Sequence, residues 1–158
     1  MRFLIPGAAA ALLFAPGAVR AQAPTERQAV VVPANTERWM PAPGVLPPGA
    51  RLAVVEGDPM KPGTYTMRLW MPDGYRLPPH FHSTPEHVTV LSGTFLVGMG
   101  DQFDATKLSP LDAGSFGMIP PGMRHFAQAR GEVVLQLHGT GPWTLTYVNA
   151  SDAPRGTR

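Results

Sequence analysis

Residues 74–93 read GYRLPPHFHSTPEHVTVLSG, and the reading of the whole chain turns on them. His80 and His82 are two positions apart, so on an extended strand both side chains point to one face. Ser83-Thr84-Pro85 is a turn signal, and Glu86 opens the next apolar run. A corner between two strands can therefore bring two imidazoles and a carboxylate to a common point. Residues 114–125, GSFGMIPPGMRH, add His125 from a separate part of the chain, behind the turn Pro120-Pro121-Gly122. Neutral imidazoles with one carboxylate suit a single divalent transition metal ion such as Fe, Mn, Ni, Cu or Zn. Three imidazoles and a carboxylate would leave a six-coordinate ion open positions for water or substrate.

Outward from this stretch, short apolar runs alternate with Gly, Pro, Asp or Ser. The runs are RLAVV (51–55), TYTMRLWM (64–71), RLPPHFH (76–82), EHVTVL (86–91), TFLVGM (94–99), SFGMI (115–119), RHFAQA (124–129), VVLQLHG (133–139) and TLTYV (144–148). Runs of this length and spacing predict an all-β barrel or sandwich. No segment carries a long 3.6-residue apolar period, so little or no helix is expected beyond the leader. The longest internal break, Asp101 to Ala113, has room for one helical turn. Gly93, between VTVLS and TFLVG, is expected at the positive φ of a tight hairpin. Upstream, AVVVP (29–33) reads as an edge strand, with Trp39 and Met40 packing against the body.

The spacing Gly74, His80, His82, Glu86, Gly93 resembles the first motif of the cupins, and Gly114, Pro120, Gly122, His125 resembles the second. Nine fixed positions agree, in order and with spacing intact. The resemblance covers about residues 69–148. It implies a single jelly-roll β-barrel of two antiparallel sheets, with His80, His82, Glu86 and His125 holding one metal ion. One position departs: Ala129 stands where the second motif usually has an Asn. That Asn is a hydrogen-bonding position rather than a metal ligand, so its loss bears on geometry around the ion. The ligand set is similar to that of quercetinase-like and germin-like cupins. This implies a metal-dependent oxidoreductase of dioxygenase type acting on a small molecule. A non-catalytic binding or sensing barrel, with a structural or recognition metal, is the alternative.

Alternation also proposes pocket walls. Tyr65, Met67, Leu69 and Met71 share one face of their run, expected to point inward. Gln136 and His138 share a face opposite Val133, Leu135 and Leu137; if that face looks inward, both contact substrate. His87 follows Glu86 and points away from it. Phe81, Phe126 and Arg124 likewise alternate away from the ligands. No Lys or Arg is placed inside, so the pocket reads as apolar around a metal, suited to a weakly charged organic molecule.

The first 23 residues have the layout of a signal peptide: Arg2, an apolar run from Phe3 to Val19, and Ala21-Gln22-Ala23. The run is broken by Pro6, Gly7, Pro16 and Gly17, and falls short of the roughly 20 residues that span a bilayer. Cleavage is expected after Ala23, with Ala21 as the other site. The plan is then a leader (1–23), a Pro-rich segment (24–48), the barrel (49–149) and a polar tail (150–158). Cleavage removes Arg2 and Arg20, which brings the 13 basic side chains level with the 11 acidic ones. A near-neutral domain without a basic cluster speaks against nucleic acid or a membrane surface as partner. The expected compartment is the periplasm or the exterior. The leader lacks a twin-Arg pair, so export unfolded is expected, and the metal would be acquired outside the cytoplasm. The chain has no Cys, which excludes disulfides and thiolate ligands. Edge strands and the Pro-rich segment are compatible with a homodimer.

Overall fold

The computed structural model describes residues 29–155, so the leader and its cleavage sites lie outside the described residues. Nine strands follow one another: β1 (Met40–Pro41), β2 (Arg51–Glu56), β3 (Gly63–Met71), β4 (Arg76–Phe81), β5 (Glu86–Met99), β6 (Ser109–Asp112), β7 (Phe116–Ile119), β8 (His125–Gly141) and β9 (Thr146–Tyr147). Among the described residues the only helical pieces are 3-10 turns at Ala105–Lys107 and Ala150–Asp152. The first falls in the break where one helical turn was expected.

All strand pairs are antiparallel, and the sheet is continuous. It curls into two halves because both are served by the long strands β5 and β8. The two run side by side from His87↔His138 to Met99↔His125. The first part of β5 pairs with β7 and its second part with β6. The first part of β8 pairs with β4, and its later part lies along the whole of β3. One half is therefore β1-β2-β3-β8-β5-β7 and the other β9-β4-β8-β5-β6. This is the jelly-roll arrangement that the sequence implied.

The bend that lets one strand join both halves corrects the sequence reading. Residues 86–91 and 94–99 are not two strands of a hairpin. They form one strand, β5, whose register shifts on both sides of Ser92. Gly93 has the expected positive φ, 75°, but it serves a bulge that bends the strand rather than a turn that reverses it. A Cβ at Gly93 would sit 2.2 Å from the Glu132 carbonyl oxygen. Residues 124–129 and 133–139 merge in the same way into β8, with Gly131 at φ 73°. A second correction concerns AVVVP: Ala29–Pro33 forms no strand, and Val30 and Val31 are exposed. Three β-branched residues favour extended backbone, but without a neighbouring strand they have no ladder to join. Met40 begins the first strand but is exposed, while Trp39 is half-buried.

The core follows the period of two. Along β3, Tyr65, Met67, Leu69 and Met71 are buried, as expected, and the residues between them are not. They meet Val88, Val90, Phe95, Leu135 and Leu137 from the opposing strands. On the outer face Arg68 pairs with Glu37 and also donates to Gln136 Oε1 at 3.4 Å. That contact pins the Pro-rich segment against the barrel wall.

Candidate metal centre

β4 and β8 lie side by side with His80 directly opposite His125. Cross-strand neighbours project to the same face, so the register alone puts these two imidazoles together, with ring centroids 4.2 Å apart. His82 follows two residues after His80, its centroid 5.1 Å from His80 and 5.3 Å from His125. The Pro120–Gly122 turn is tied to this corner by the Gly122 N–H, which donates to the His82 carbonyl at 2.9 Å. Glu86 enters at the start of β5. All four side chains are buried, the three imidazoles at 2–3% exposure. One ligand nitrogen from each imidazole lies within 4.8 Å of the others. Glu86 joins this trio through Oε2, 3.4 Å from His82 Nε2 and 3.5 Å from His125 Nε2.

The orientation of the rings is fixed from behind. His80 Nδ1 lies 2.7 Å from the Pro78 carbonyl, His82 Nδ1 2.5 Å from that of Thr144, and His125 Nδ1 3.0 Å from that of Met123. A carbonyl only accepts, so each Nδ1 carries the proton and donates it. Every Nε2 lone pair is then left for the centre. His82 Nε2 is buried and has no hydrogen-bond partner. Burial, followed by the neighbouring His125 and His82, pushes the pKa of His80 down to about 3. Burial also opposes a charge on His82, but the Glu86 carboxylate beside it outweighs that and raises its pKa. Burial alone would raise Glu86, yet the His125 and His82 rings beside its carboxylate hold it well below the usual carboxylate range. A carboxylate thus faces imidazole lone pairs in a buried space. Acceptors face acceptors, an arrangement that a shared proton, a bridging water or a metal ion satisfies. The donor set fits a divalent transition ion.

The surrounding walls are apolar. Leu69, Leu77, Val88, Phe95, Leu135 and Leu137 line the cavity, and Trp143 and Leu46 complete it. Trp143 stacks on His82 at 5.9 Å between centroids, and its Nε1 is buried without a partner. The cavity volume is about 20 Å³; a water needs about 10–15 Å³ on the same scale.

Of the proposed pocket residues, Leu69 lines the cavity. Tyr65 and Met67 share its inward face but belong to the core beyond it. Burial, and then the charge of Glu86, pushes the Tyr65 hydroxyl up to about 12. Gln136 and His138 do not reach the cavity. Leu135 and Leu137 take the inner face, so alternation turns Gln136 to Arg68 and His138 to the outside. There His138 stacks on His87, centroids 4.8 Å apart and planes at 15°. Phe126 is fully buried on the other side of its strand, against Phe103. Ala129, in place of the usual Asn, is buried at 1% exposure among apolar neighbours. Sequence reasoning missed Leu46 and Trp143, which reach the site from loops.

A jelly-roll barrel with three buried imidazoles and a carboxylate drawn from both motifs defines a single-domain cupin. The chain belongs to the ChrR cupin-like domain family, whose model matches residues 27–144. No curated protein matches the sequence. Among solved structures, the polyketide cyclase RemF of Streptomyces resistomycificus is similar at 17% identity and a TM-score of 0.64, over 80% of this chain and 90% of that one. A proposed acetylacetone dioxygenase of Methylibium petroleiphilum PM1 is similar at 18% identity and a TM-score of 0.62, over 84% and 90%. The salicylate 1,2-dioxygenase of Pseudoaminobacter salicylatoxidans, solved with gentisate, is similar at 14% identity and a TM-score of 0.53, over 68% of this chain and 31% of that one. At these identities the likeness concerns the fold.

Proposed function

We propose that this domain holds one divalent transition metal ion through His80, His82, His125 and Glu86 and uses it to act on a small, weakly charged organic molecule, as an oxidoreductase of dioxygenase type. The observation that carries this reading is the buried, acceptor-only cluster whose His82 Nε2 has no partner. When bound, the ion would supply Lewis acidity toward a substrate oxygen, O₂ or both. The chain's own part is positional. Three backbone carbonyls hold the imidazoles in one tautomer. The apolar walls exclude water and offer no cation for an anionic substrate. The Trp143 indole N–H offers a donor for a substrate oxygen. Glu86, kept ionised by His125 and His82, is the group placed to accept a proton from a bound hydroxyl. Dioxygenases among the similar folds support this reading.

The test combines metal analysis with oxygen uptake. Protein loaded in turn with Fe, Mn, Ni, Cu and Zn is supplied with small phenols and diketones. The reading expects uptake with at least one redox-active ion and none after His82→Ala. Oxygen uptake that survives removal of the metal would defeat it. A second reading is a non-catalytic binding or sensing barrel with a structural or recognition metal; the cavity of about 20 Å³ fits an ion enclosed by the fold. It predicts a ligand-dependent shift in melting temperature with no turnover. We further propose that the domain acts outside the cytoplasm and takes up its ion there, where the affinity order favours Cu, Zn or Ni. Elemental analysis of protein recovered from the periplasm checks this, and finding Mn alone would contradict it.

A further inference from the structure

The chain between β1 and β2 closes into a small loop that contributes Leu46 to the wall of the metal cavity. Its ends are joined by Ala42 N–H donating to the Ala50 carbonyl at 3.0 Å, and its tip is turned by Leu46 N–H donating to Pro43 at 2.9 Å. Compact loops with adjacent ends are held together by their own side chains and are often functional, and Pro43, Pro47 and Pro48 stiffen this one. Gly44 and Pro48 are exposed, yet Leu46 between them is 3% exposed. It points inward and lines the same cavity as His80, His82, Glu86 and His125. The carbonyls on either side of it are each held by a phenol. Tyr147 Oη donates to Val45 at 2.8 Å and Tyr75 Oη to Pro47 at 2.5 Å. Tyr147 also packs against His80, ring centroids 6.4 Å apart.

A cavity of about 20 Å³ admits an ion and a water but no organic molecule. Leu46 is one of the side chains that close in this space, and it belongs to a loop rather than to the sheet.

We propose that the loop Ala42–Ala50 is the lid of the metal cavity, that Leu46 is its plug, and that Tyr75 and Tyr147 are its latches. The ligand that opens it is an uncharged organic molecule whose apolar end takes the place of Leu46 beside Trp143 and Leu145 while its polar end meets the imidazoles. The ligand class rests on the function proposed above; the lid itself does not. Opening breaks the two phenol bonds, so loss of either hydroxyl raises the open population about fivefold.

The lid is tested on the metal-free full chain with diethyl pyrocarbonate, which acylates accessible neutral imidazoles. Trypsin releases His125 in its own peptide, residues 125–130, and the outer His138 in a different one. In the unaltered protein His125 should react far more slowly than His138. Leu46→Ala should raise the rate at His125 about tenfold, and Tyr147→Phe and Tyr75→Phe about fivefold each, with His138 unchanged. Equal His125 rates in all four proteins overturn the proposal. So does a parallel rise at both histidines, which marks unfolding; if Leu46→Ala behaves so, the Tyr→Phe variants decide. A second measurement separates the lid from the metal. Zn²⁺ release to a chelator and Zn²⁺ uptake should both accelerate in the variants by similar factors, leaving the Kd in place. If no ion binds while the lid still shields His125, the metal reading fails and the lid stands. If an ion binds but its exchange and the His125 rate are indifferent to the variants, the lid fails and the metal stands.

Discussion

An imidazole whose Nδ1 proton is committed to a backbone carbonyl has one lone pair left, and in this protein three such lone pairs gather beside an ionised Glu86. Removing one of them should be felt at once: His82→Ala is expected to weaken Zn²⁺ or Ni²⁺ binding by at least about a hundredfold, measured by equilibrium dialysis, while the far-ultraviolet circular dichroism stays that of a β protein. The metal-free cluster should also make stability depend on pH. Folded His80 refuses a proton down to about pH 3, whereas the unfolded chain accepts one below about 6.5. Between these values the unfolded state binds the extra proton, so His80 makes stability fall as pH falls, by on the order of 1 kcal/mol per pH unit. Glu86, with its pKa depressed, adds to the loss below the usual carboxylate value. His82, with its pKa raised, works in the other direction: its contribution is present below about 6.5 and lost as pH rises through the folded value. Urea titrations of the metal-free protein from pH 7 to 4 should therefore show a shallower loss in His80→Asn than in the parent. His80 and His82 were legible because two apart on a strand means one face, and Glu86 and His125 because the turns before them and the spacing of the two motifs place them beside that pair. Gln136 and His138 were misplaced for a related reason. Alternation separates two faces but does not say which is inner, and here the apolar Leu135–Leu137 face is.

At the scale of elements, the bulge in β5 is what lets one strand join both halves of the barrel. Gly93→Ala places a methyl group 2.2 Å from the Glu132 carbonyl and keeps the backbone at φ 75°. It should cost about 2–4 kcal/mol by chemical denaturation. Gly114→Ala is the control: φ is 88° but nothing lies within 4 Å of the added carbon, so about 1 kcal/mol is expected. Equal costs would mean that the bulge is not tightly held. The sequence marked where the strands are but not that two pairs of them are single bent strands. A hairpin and a bulge both ask for a residue at positive φ, and the difference lies in the partner strand, a non-local fact. AVVVP illustrates the converse, since good strand formers at 29–33 form none where no ladder is offered.

As a whole, the molecule is a barrel with an apolar interior and one polar spot, closed over by a loop. An ion bound only by the folded form stabilises it in proportion to its saturation, by about 2.7 kcal/mol at a hundred times Kd. For a domain of this size that is a rise in Tm of roughly 10 °C, reversed by a chelator and absent in His82→Ala; scanning calorimetry checks it. The barrel was legible because nine spaced positions specify it. The lid was not, because the Pro-rich segment carries no periodicity, and Leu46 is buried only by what the barrel mouth presents to it. The function proposed for this molecule rests on one ion held between His80, His82 and His125. Anomalous diffraction from crystals grown with Zn²⁺ or Ni²⁺, recorded on both sides of the absorption edge, tests it most directly. One peak per chain, bonded to the Nε2 atoms of all three imidazoles at about 2.0–2.1 Å, is the predicted result. An empty centre at saturating ion, or a peak held instead by His87 and His138, would contradict it.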